Sequence, residues 1–151
     1  MSWARRLGPV VVLVSASALA APASPSTAAP ASEREMHTAR CVAALDLSTR
    51  QLAEKVKGGK DVMRPLLLAR LKSGAALVGA AYLAGARDEG RSQALLDSAL
   101  VAQKALPESE LAERQAACDD VGTSLLARTN ALEREVVSRV AARRMTRLLS
   151  E

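Results

Sequence analysis

Apolar residues recur every three to four positions along most of the chain from residue 33 onward, the period of a helix with one buried face. In the first such stretch Cys41, Leu45, Ser48, Leu52 and Val56 form the stripe, while Asp46, Arg50 and Glu54 follow at i, i+4 steps as a solvent-facing ladder. Ser32 precedes the stretch with Glu35 three residues on, a pairing in which a hydroxyl and a carboxylate satisfy the free amides of a helix start. Gly58-Gly59 stops it. The pattern predicts a helix over residues 33–57.

Asp61 is placed to cap a second helix over residues 61–84, with Pro65 tolerated in its first turn. Its residues 73–86 carry no charge and are rich in small side chains, among them Ala75, Ala76, Gly79, Ala80 and Ala84. Small residues let a neighbouring backbone approach closely, so this helix is expected to be the central, most buried one. Arg70 and Lys72 flank the uncharged part, which is shorter than the ~20 residues of a membrane-spanning helix. Gly85 ends it, and Asp88-Glu89 open a third helix over residues 88–105 with Leu95, Leu96, Ala99 and Leu106 on its apolar side. The run Val78-Gly79-Ala80-Ala81-Tyr82 with Gly85 and Asp88-Glu89 is loosely similar to one tetratricopeptide helix pair, but no second copy follows at a period of ~34 residues.

Pro107-Glu108-Ser109-Glu110 is a strong helix start, since Pro suits the first turn and acids complement the positive end of the helix dipole. Leu111, Cys118, Leu125 and Leu132 then stand seven apart, with Gln115, Gly122, Thr129 and Val136 as a second line. That spacing marks coiled-coil-like packing and predicts one long helix over residues 107–149, with Gly122 its only breaker. Beyond Val136 the apolar line drifts to Val137, Ala141, Met145 and Leu148, and Arg139, Arg143 and Arg147 form a cationic line.

Composition supports helices throughout. The 151 residues are 49% apolar and 25% charged, with no Phe and only Trp3 and Tyr82 as aromatics. Abundant Ala and Leu with few β-branched or aromatic residues exclude an all-β fold. The missing aromatics also remove the stacking platforms of single-stranded nucleic-acid binders, so no nucleic-acid partner is expected.

The N-terminus reads as an export signal. Arg5-Arg6 precede an uncharged run over residues 7–23, and Ala18-Leu19-Ala20 supplies small side chains where a signal peptidase reads them. A signal peptide over residues 1–20, cleaved before Ala21, would deliver the chain to a periplasm or the external medium. Residues 21–32 are rich in Pro, Ala and Ser and are expected to form a disordered leader before a single domain over residues 33–151. Removing Arg5 and Arg6 leaves nineteen basic against sixteen acidic residues, so the formal charge falls from +5 to +3 and argues for no polyanion.

Cys41 and Cys118 are the only cysteines, and in an oxidising compartment they are expected to pair. In an antiparallel up-down four-helix bundle, at ~1.5 Å per residue, they lie ~12 Å and ~10 Å above the base and so arrive level. The same arithmetic leaves ~46 Å of helix beyond Cys118 where only ~10 Å of bundle remains. Either the last ~20 residues project beyond the bundle, or the chain breaks near Gly122.

Hydrolase elbows, phosphate loops and zinc-protease spacings are missing, and no cofactor is implied. His37, one turn before Cys41, is the one weak metal candidate. The expected role is a non-enzymatic interaction or adaptor protein whose C-terminal helix meets a protein partner or a second copy through Arg139, Val140, Arg143, Arg144, Arg147 and Leu148. The cationic line also suits peripheral contact with an anionic membrane. Its bland alternative is a solvated face complementing the helix dipole, with Glu135 paired to Arg139. A small-ligand or metal carrier, using the small-residue face near Gly79 and Ala80 or His37, is the second functional reading. An enzyme built from scattered residues is the third.

Overall fold

The computed structural model of the chain describes residues 29–151, so the expected signal peptide and most of the expected leader lie outside the described residues. The described chain is helical without a strand: α1 Glu33–Lys57, a 3-10 turn Asp61–Met63, α2 Arg64–Leu83, α3 Glu89–Lys104, α4 Glu108–Arg128 and α5 Ala131–Ser150. The α1 cap forms as its sequence demands, the Glu35 amide donating to Ser32 Oγ at 3.2 Å and the Ser32 amide to the Glu35 carboxylate at 2.7 Å. Gly59, at φ +90°, supplies the left-handed turn after α1. Asp61 does not cap α2; it opens the 3-10 turn and pairs with Arg64 at 2.8 Å. Asp88 caps α3 by accepting the Arg91 amide at 2.9 Å. The end of the expected leader is tethered, because the Ala29 and Pro30 carbonyls accept from Arg91 at 2.6 and 3.1 Å.

The centre of the molecule is α1, not α2. Nine of its residues are buried against five on α2, and each of the other four helices packs on it. The five stripe positions from Cys41 to Val56 are all buried. The uncharged stretch of α2 is only partly covered: Ala76 and Leu77 are buried, but Val78, Tyr82 and Leu83 are exposed, and Gly74, Ala75 and Gly79 line open space. By length and composition residues 61–83 also suit a membrane span, yet α1, α4 and α5 all pack on this segment.

Two clusters divide the core. Leu52, Ala53 and Val56 from the end of α1 meet Leu67 and Leu71 from the start of α2, with Ala141 and Leu148 of α5. Cys41, Ala44 and Leu45 meet Leu77 and Cys118. The last turns of α1 thus face the first turns of α2, a helical hairpin. Helices α4 and α5 each dock on this hairpin and make no substantial contact with each other. Cys41 and Cys118 are bonded, with their Cα atoms 5.1 Å apart, and fix α4 to α1.

The single long helix expected over residues 107–149 is two helices, and the break is not at Gly122. It falls at Thr129-Asn130, where Asn130 Oδ1 accepts the Glu133 amide at 2.9 Å and Glu133 accepts the Asn130 amide at 3.0 Å. This is the device that starts α1, and it lets the chain fold back rather than project. The seven-residue seam is real through Gln115, Cys118 and Gly122, which are buried, and ends at the break, beyond which Leu132 is 75% exposed. Gly122 stays helical for a packing reason: a Cβ there would stand 2.6 Å from Ser73 Cβ and 2.7 Å from the Ser73 carbonyl oxygen.

Candidate functional site

On the side of the hairpin that α5 covers, packing is incomplete. The C-terminal half of α5 is seated in the core through Ala141, Met145 and Leu148. Its N-terminal half leaves a groove of about 510 Å³, within the range of small-molecule sites. Val42 and Leu45 of α1 and Leu71, Ala75, Val78 and Gly79 of α2 form the floor; Val136, Val137 and Val140 of α5 and Leu96 of α3 form the walls. A second depression of about 420 Å³ shares Val42, Val78, Tyr82 and Leu96 with the first and continues it between α3 and the hairpin.

Polar groups gather at one end of the groove. Asp46, only 13% exposed at its side chain, accepts from Arg50 at 2.9 Å and from Arg144 of α5. The hydrogen bond that Arg50 donates to Asp46, and then the negative charge of Asp46, raise the Arg50 pKa above its usual value. The expectation that Asp46 belongs to a solvent ladder therefore fails, since it ties α5 to α1 across 98 residues of sequence. Thr49 Oγ1 donates to the Asp46 carbonyl at 2.9 Å. Arg70 donates to Ser48 Oγ at 3.0 Å, and its Nε lies 3.1 Å from Asp119 Oδ2 without hydrogen-bond alignment. At the opposite end Arg91 pairs with Glu35 at 3.2 Å, Arg87 stacks over Tyr82, 5.5 Å from the ring centre, and Glu89 lines the same depression as Arg87.

The structure divides the C-terminal residues expected to meet a partner. Leu148 is 6% exposed and belongs to the core, so it offers no partner surface. Arg139 pairs with Glu135 at 2.8 Å, as the i, i+4 spacing implied. Val140 and Arg144 line the groove, whereas Arg143 and Arg147 are exposed and make no ion pair among the described residues. Of the second reading's residues, Gly79 lines the groove, and His37 is exposed on α1 while the sulfur of Cys41 is bonded to Cys118. Among the described residues no three His, Cys, Asp or Glu side chains gather where they could hold a metal ion.

Sequence reasoning missed Val42, Val78, Tyr82, Leu96, Val136 and Val137 as groove residues. Their signal was an excess: Val78 and Tyr82 add apolar area, one turn apart, to a helix already supplied with a buried face. No family model matches the chain, and neither a curated protein nor a solved structure matches it significantly.

Proposed function

We propose that this is a non-enzymatic binding protein that holds an apolar guest in the groove between α2 and α5, with the C-terminal helix as one wall. One observation carries the reading: Val78, Tyr82, Val136 and Val140 remain between 49% and 56% exposed around a continuous apolar trench. Contiguous apolar surface left open to water marks a binding site more often than a packing defect. The reading joins the expected use of the C-terminal helix to the expected carrier role near Gly79. An oxidising compartment suits the disulfide, and the signal pattern of residues 1–20 supports export. Intact mass of the protein recovered outside the cytoplasm tests export, a mature chain starting at Ala21 being expected.

The binding test uses the neutral dye N-phenyl-1-naphthylamine. Wild-type protein should bind it saturably at one equivalent. Gly79→Leu should abolish binding without loss of helicity, because no atom lies within 4 Å of a Cβ built at Gly79 and the new side chain can fill the trench. Equal binding by both proteins, or none by either, would overturn the reading. A second copy of the chain is the other reading, favoured by exposed Leu132 on α5. Light scattering should then show a dimer that Leu132→Glu dissociates.

A further inference from the structure

The groove has a shape and a polarity, and together they specify its guest. Arg70 and Tyr82 lie twelve residues apart on α2, which gives the trench a length of ~18 Å. A narrow trench of that length, lined almost wholly by apolar side chains, suits an extended hydrocarbon chain.

Charge sets the direction in which that chain lies. At the Asp46 end, Arg50, Arg70 and Arg144 meet Asp46 and Asp119, and Asp46 is shared by two guanidiniums. Arg143 and Arg147 add exposed positive charge on the same turns of α5, against Glu151, which acts weakly on Arg50. Arg144, with 43% of its side chain exposed, retains donors that Asp46 does not occupy. At the far end Arg87 and Arg91 are matched by Glu35 and Glu89, so no comparable surplus exists there. Buried or half-buried guanidiniums hold carboxylates through short, charge-assisted bonds.

Building on the proposed binding function, we infer that the guest is a single-chain anionic amphiphile, a long-chain fatty acid. Its hydrocarbon lies along Leu71, Ala75, Val78 and Val140, and its carboxylate is held by Arg144 beside Asp46. The head replaces water at a guanidinium that Asp46 only partly satisfies, and the tail covers the exposed valines.

Competition against bound N-phenyl-1-naphthylamine, on oxidised protein from its own host, tests this with hexadecanoic acid, hexadecan-1-ol and hexadecylamine below their micelle concentrations. The acid should displace the dye at about tenfold lower concentration than the alcohol, the low end of what a hydrogen bond to a charged group is worth, and the amine should be weakest. Arg144→Gln should erase the acid's advantage over the alcohol. Asp46→Asn should enlarge it, which keeps the test decisive if one variant folds poorly. Equal displacement by acid and alcohol on the wild type would overturn the anionic guest while leaving the groove reading intact. Failure of all three to displace the dye, or of the dye to bind, would overturn the groove itself. Sedimentation with anionic vesicles, lost in Arg143→Gln/Arg147→Gln while acid and alcohol compete equally, would assign the charge to a membrane surface instead.

Discussion

The two sides of the α1–α2 hairpin are built from similar residues and finished differently. On the α4 side Cys118 is bonded to Cys41, Gly122 presses on the Ser73 backbone, and Ser73 Oγ lies 3.4 Å from Thr123 Oγ1. On the α5 side only the last turns of the helix are seated, and glycines at positions 74 and 79 face open space. A helix rich in small residues permits close approach without enforcing it; what closes one side is a covalent link and a glycine matched to a facing backbone. The covalent link secures the α4 side, while the α5 side, seated through Ala141 and Leu148, leaves the groove that the proposed guest would fill.

Reducing the disulfide gives the largest test of that division. It closes a separation of 77 residues, and in the chain-entropy model its loss destabilises by about 4 kcal/mol. The melting temperature of the double variant Cys41→Ser/Cys118→Ser should fall by more than ~10 °C, and a fall of only ~2 °C would mean that α4 is held by packing alone. Next comes a pair of glycine substitutions with opposite signs. Gly122→Ala should cost about 2 kcal/mol in urea unfolding, because the Ser73 backbone oxygen has nowhere to withdraw. Gly79→Ala meets nothing within 4 Å and should stabilise by up to ~1 kcal/mol through helix propensity. Equal effects at the two sites would erase the distinction between the sides.

The α5 side is sharpened by Asn130→Ala. Removing the cap should cost about 1 kcal/mol and loosen the first turns of α5, where the groove wall begins. Hydrogen exchange should quicken over residues 131–137 and remain unchanged around Cys118. Uniform quickening would show that the two sides unfold as one unit.

Local rules were legible in the sequence and long-range ones were not. Ser32 with Glu35, Asp88, Pro107 and the buried stripe of α1 act through neighbours three or four residues away, so the sequence displays them directly. Asn130 with Glu133 is the same signal as Ser32 with Glu35, but the seven-residue seam ran through it and carried the helix too far. Asp46 looked like surface charge because its spacing to Arg50 satisfies a local rule, while its partner Arg144 lies 98 residues away. The groove escaped for a related reason. Whether an uncharged face is covered depends on where α5 docks, and no spacing within α2 records that.

The smallest effect concerns the far end of the groove, where α3 is tied to α1. The Glu35 carboxyl is held below the usual carboxylate range, first by the hydrogen bond from the Ser32 amide, then by the Ser32 hydroxyl, then by Arg91. A carboxyl whose folded pKa is depressed stabilises the fold above its unfolded value and loses that contribution as pH falls through the folded one. Wild type should therefore be more stable than Glu35→Gln at neutral pH, and the gap should shrink once the pH drops below about 4.5. Because Glu35 caps α1 and holds Arg91 of α3 while touching neither the disulfide nor α4, acid should quicken hydrogen exchange at the start of α1 and around Arg91 while the region around Cys118 keeps its protection. A gap that stayed constant from neutral pH to well below 4.5 would show that the carboxylate adds nothing to the α1 cap or to the α3 tether beyond what its amide replacement supplies.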